Sequence, residues 1–90
     1  MKITLTPVIR QREEKIFQYI AEDSGLQNAL NVRQRIYKTF GRIVDFPKSG
    51  RTTNFINRRE MVVTGTPYII RYTLTPKEIR ITDIKHGAQN

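Results

Sequence analysis

The stretch PYIIRYTLTPKEIRITDIKHG, residues 67–87, decides the fold. In YIIRYTL, Tyr68, Ile70, Tyr72 and Leu74 fall on one side of an extended chain, and Ile69, Arg71 and Thr73 fall on the other, which is the two-residue period of a strand. TPKE turns the chain. In IRITDIKH, Ile79 and Ile81 have one parity and Ile84 the other, so either both faces are covered there or a bulge sits near Thr82 and Asp83. His86, the single histidine, follows the parity of Ile84.

Upstream, FINRREMVVTG reads as a third strand through Met61, Val62 and Val63 that ends at Gly65, with Arg58 and Arg59 exposed or at an edge. Phe46-Pro47 biases residue 46 away from helical dihedrals, and KSGRTTN, residues 48–54, is a polar loop. Before it the period is helical. Thr6-Pro7 supplies an N-cap and a first-turn proline; Val8, Ile9, Ile16, Phe17 and Ile20 then fall at helical spacing until Ser24-Gly25. Leu26, Ala29, Leu30, Ile36, Tyr37, Phe40, Ile43 and Val44 mark a second amphipathic helix. KITL, residues 2–5, alternates as a short first strand. The order β-α-α-β-β-β predicts an α+β domain spanning residues 1–90, in which an antiparallel helix hairpin packs on one face of a three-stranded antiparallel C-terminal sheet.

Ninety residues allow one modest core, and the absence of cysteine removes disulfides and thiolate metal sites, in keeping with a reducing, cytoplasmic setting. No secretion signal and no membrane span is expected, because no apolar run approaches about 18 residues. Sixteen Lys and Arg oppose eight Asp and Glu. That excess attracts polyanions, nucleic acid or an acidic protein, although net charge alone is also common in domains that bind neither. Residues 48–90 carry eight cations and three carboxylates, against eight and five before them, so a polyanion site is expected in the C-terminal half. One histidine, no cysteine and five scattered glycines predict neither a metal nor a nucleotide cofactor.

Taken in this order, YIAED closing the first helix, IYKTFGRIVDFPKSGR with its Pro-x-x-Gly-Arg, RREMVV, PYIIRY and the terminal ITDIKHGAQN resemble the RelE/ParE superfamily, toxins of bacterial type II toxin–antitoxin modules. The resemblance spans nearly the whole chain and is nearer the ParE branch. It implies a small antitoxin as partner and one of two targets: DNA gyrase, poisoned by ParE-like members, or the ribosome and its mRNA, cleaved by RelE-like members. RelE-like nucleases carry dense basic residues on the middle strands and a tyrosine near the C-terminus, and here no tyrosine follows Tyr72.

RNA cleavage through the 2′-hydroxyl needs a base, an acid and cations around the phosphorane. His86 could titrate near neutrality, Tyr72 could donate a proton, and Arg51, Arg58, Arg59, Arg71, Arg80 and Lys85 could hold phosphate. Arg58, Arg71 and His86 are the trio such a ribonuclease would use. His86 equally reads as a packed strand-end residue, and Arg58-Arg59-Glu60 as a charged edge that discourages strand pairing. Arg71 is either set against a carboxylate or placed on the face the helices leave open. Ile69, Arg71 and Arg80 are therefore the leading antitoxin- or target-binding candidates, with Arg58, Arg59, Lys85 and His86 beside them. Tyr19 and Tyr37 read as packing residues, and Glu13-Glu14 as partners for Arg10 or nearby lysines. The function the resemblance leads one to expect is a ParE-like toxin that inhibits DNA gyrase by binding and is neutralised by a cognate antitoxin; a ribosome-dependent endoribonuclease and a non-toxic antitoxin- or nucleic-acid-binding module are the alternatives.

Overall fold

The computed structural model describes residues 1–87; the Ala88-Gln89-Asn90 end of the resemblance lies outside the described residues. Strand β1 (Lys2–Leu5) leads into helices α1 (Pro7–Ser24) and α2 (Leu26–Asp45), a 3-10 turn (Pro47–Ser49), and strands β2 (Arg51–Thr52), β3 (Arg58–Val62), β4 (Tyr68–Leu74) and β5 (Glu78–His86). The Thr6 hydroxyl accepts the Ile9 N–H at 3.3 Å, which caps α1 one residue before Pro7. Gly25 is the whole connection between the helices. Its φ of +97° suits glycine, and its N–H donates to the Ala21 carbonyl at 3.1 Å. Across the hairpin Arg33 donates to Glu13 at 2.7 Å and Glu14 at 3.0 Å, and its guanidinium lies 3.8 Å from the centre of the Phe17 ring. The two glutamates thus pair across the helices and not with Arg10.

The sheet has five strands in the order β1-β5-β4-β3-β2, with β1 parallel to β5 and the other pairs antiparallel. The C-terminal three strands form its middle as expected. Two additions were not in the reading: β1 extends the sheet beside β5, and Arg51–Thr52, placed in the polar loop, pairs with Glu60 and Arg59 as a two-residue edge. Such a short edge carries no apolar pattern to read.

Both helices cover one face. Ile9, Ile20, Ala29, Ile36, Phe40 and Ile43 meet Met61, Val63, Tyr68, Ile70, Tyr72, Ile79, Ile81 and Ile84 in a single core. The parity slip in β5 is a bulge: Ile81 lies opposite Tyr72 and Asp83 opposite Arg71, so Thr82 is the extra residue and both Ile81 and Ile84 reach the core. Not every apolar position of the helical stripes is inside, since Val8, Leu26 and Leu30 are exposed, as are Tyr19 and Tyr37. One helix face is wider than the sheet can cover.

The Pro-x-x-Gly-Arg segment is a clamp on β4 and β3. The buried Tyr72 hydroxyl donates to the Pro47 carbonyl at 2.6 Å and accepts the Gly50 N–H at 3.1 Å. A Cβ at Gly50 would collide with that hydroxyl and lie 2.9 Å from the ring, which requires glycine there. Arg59 completes the clamp by donating to the Lys48 and Gly50 carbonyls at 2.9 and 2.8 Å.

Candidate macromolecule-binding surfaces

Alternation along each strand sorts the candidate residues onto two sides. Ile69, Arg71 and Thr73 stand opposite the buried Ile70 and Tyr72, so they face away from the helices, as do Glu60, Arg58 and Val62 on β3. Arg51 pairs with Glu60, Lys85 with Ile69, and Arg80 with Thr73, which puts all three on the same open side. Tyr68 and His86 are paired and lie on the helix side, where their rings meet edge-on with centroids 5.6 Å apart. Arg59 also lies on the helix side, held by the loop carbonyls.

Glu60 organises the open face. It is only 8% exposed and receives Arg71 at 2.8 Å, Arg51 at 3.1 Å and Lys85 at 3.2 Å. Burial pushes its carboxyl up, but hydrogen bonds from Arg71, Lys85 and Arg51 outweigh burial and hold the pKa at about 2. Arg71 therefore satisfies both sequence readings, standing on the open face and against a carboxylate. Three cations on one carboxylate leave the cluster positive. Next to it the Arg58 guanidinium covers the exposed Phe55 ring at 4.2 Å. Arg80 donates to Glu78 at 3.0 Å, and Glu78 accepts the Thr4 hydroxyl at 2.7 Å; these bonds from Thr4 and Arg80 lower the Glu78 carboxyl below its usual value.

A groove of about 1070 Å³ opens on the other side, between α1 and the end of the sheet. Val8, Arg12, Lys15 and Tyr19 form one wall, and Tyr68, Ile84, Lys85 and His86 form the floor. β1 pairs only with Glu78–Ile81 of β5, so from Thr82 onward no described strand flanks β5 on that side. Arg12 reaches Asp83 at 3.3 Å beside this gap. The groove was not legible in the sequence, because Val8 and Tyr19 carry the same periodicity as core positions.

The proposed nuclease trio does not converge. Arg58 and Arg71 are on one face, and His86 is on the other. Burial pushes the Tyr72 phenol up, and its hydroxyl is held between Pro47 and Gly50, so it is not presented as a proton donor. Among the described residues no three His, Cys, Asp or Glu side chains gather as metal ligands, and no helix is long and apolar enough to cross a membrane.

The family model described as the ParE toxin of the type II toxin–antitoxin system parDE matches residues 3–90. The chain belongs to the ParE toxin family. A toxin candidate of Sinorhizobium fredii (strain NBRC 101917 / NGR234), Y4kP, is 30% identical to this ParE-family chain over 79 residues, covering 88% of it and 80% of the relative. In a solved structure of a chromosomal ParDE toxin–antitoxin system from P. aeruginosa, one chain superposes with a TM-score of 0.83 at 20% identity, covering 96% of this chain and 95% of that one. At that identity the likeness concerns the ParE fold.

Proposed function

We propose that this ParE-family toxin acts by binding, holding DNA gyrase on cleaved DNA, and that a cognate antitoxin neutralises it. The observation that carries the reading is the split of the candidate residues: cations on the open face, His86 behind the sheet, and Tyr72 consumed by the Pro47–Gly50 clamp. A hydrolytic site needs an acid and a base within reach of one phosphate. A binding toxin needs only an exposed, complementary surface, and the open face supplies one.

The antitoxin is assigned to the groove. Exposed Val8 and Tyr19 offer apolar anchors, Lys15 favours an acidic segment, and the uncovered edge from Thr82 to His86 can accept an added strand. Lys85 links the groove to the open face, so a bound antitoxin also reaches the rim of the target surface.

Expression from a tight promoter tests the reading. Expected are loss of negative supercoiling in a reporter plasmid and DNA-damage signalling, both retained by His86→Ala. Messages cut within codons, with cutting abolished by His86→Ala, would establish the ribonuclease in its place; unaffected growth would leave a non-toxic binding module.

A further inference from the structure

We infer that the open face of the sheet binds the phosphodiester backbone of a nucleic acid directly. Cations on this face come from all five strands: Lys2 on β1, Arg51 on β2, Arg58 on β3, Arg71 on β4, and Arg80 and Lys85 on β5. Among the described strand residues only Glu60 and Glu78 oppose them on the same side. Asp83, which the register would add, is drawn to Arg12 of α1 at the bulge. Half of the excess charge of the molecule is thus gathered on the side that no described helix covers.

The arrangement favours phosphates over an acidic peptide. Neighbouring strands lie about 4.8 Å apart, so these cations spread over roughly 20 Å, a span on which a nucleic-acid backbone presents several phosphates. A peptide that folds on binding needs apolar anchors to offset its ordering; the strands of this face present Ile69 and the rim residue Val62, and the neighbouring Phe55 ring lies under the Arg58 guanidinium. Arginine forks match phosphate oxygens, and four of the six cations are arginines. Glu60 pairs with Arg71 at 2.8 Å and with Lys85 at 3.2 Å, so their positions are fixed before a ligand arrives.

This inference does not depend on gyrase being the target, since it concerns the isolated chain and naked nucleic acid. The test is fluorescence anisotropy with labelled 20-mers of duplex DNA, single-stranded DNA and single-stranded RNA, titrated with the full chain at several KCl concentrations. Expected is saturable binding to at least one of the three that weakens steeply with salt, with a log–log slope of about −3 for duplex DNA, corresponding to three or four phosphates. Arg51 and Arg80, 73% and 51% exposed, are the most accessible of these paired cations, and Arg71 and Lys85 still pair with Glu60 when Arg51 is removed. Arg51→Ala with Arg80→Ala should lower affinity at least tenfold and flatten the slope by about one to two. Lys38→Ala with Arg42→Ala, on the helix side, removes the same charge and should lower it less than threefold. Which probe binds best separates a DNA from an RNA source for the same backbone chemistry. Absence of binding at low salt, equal losses from both double variants, or saturable binding to polyglutamate with none to nucleic acid would each overturn the inference.

Discussion

At the scale of single residues, Glu60 and Tyr72 do most to fix the surface, and each makes a measurable prediction. The folded pKa of Glu60, about 2, lies below the ordinary 4.5, so its stabilisation is complete above pH 4.5 and disappears as pH falls through about 2. The contribution at neutral pH is about 2 kcal/mol, allowing for solvent around Arg51, whose side chain is 73% exposed. Urea unfolding between pH 7 and pH 2 should show this loss in the natural chain, while Glu60→Gln is less stable at pH 7 and has a flatter profile below pH 4.5. Tyr72→Phe removes a buried hydroxyl that joins the Pro47 carbonyl to the Gly50 N–H, a cost of about 1–3 kcal/mol in the same assay. Gly50→Ala should be at least as damaging, because Tyr72 is fully buried and cannot move aside.

At the scale of elements, what the sequence could show depended on whether burial or only geometry set the pattern. β4 alternates without interruption because one side packs on the core, so Arg71 could be assigned to the open face from the sequence. The slip in β5 was visible in Ile81 and Ile84, yet only the register distinguishes a bulge from a strand covered on both faces. β2 has two residues, both exposed, and leaves no apolar signature; with it went the pairing of Arg51 to Glu60. Helical stripes marked more positions than the sheet can bury. In consequence Ile43→Ala, at a position with no exposure, should cost about 3 kcal/mol, whereas Leu26→Ala, 60% exposed, should cost under about 1 kcal/mol; unfolding midpoints decide between them.

At the scale of the whole molecule, one sheet separates two surfaces of different chemistry, a groove beneath α1 and a cationic face behind it. If the groove receives the antitoxin, Tyr19→Ala with Lys15→Glu should weaken toxin–antitoxin association at least tenfold by calorimetry and leave growth inhibition intact. Which macromolecule such a surface seizes was not legible, because target choice depends on shape across several elements and not on any short motif. The partition of Arg58 and Arg71 from His86 is nevertheless a property of the strand register, and it speaks against cleavage. The decisive measurement places the purified chain in two reconstituted reactions: gyrase with relaxed plasmid and ATP, and ribosomes programmed with a defined message. Expected is accumulation of gyrase-linked DNA breaks with an uncut message, the same for the natural chain and His86→Ala. A message cut in the ribosomal A site, with gyrase unaffected and cutting lost in His86→Ala, would contradict the binding mechanism.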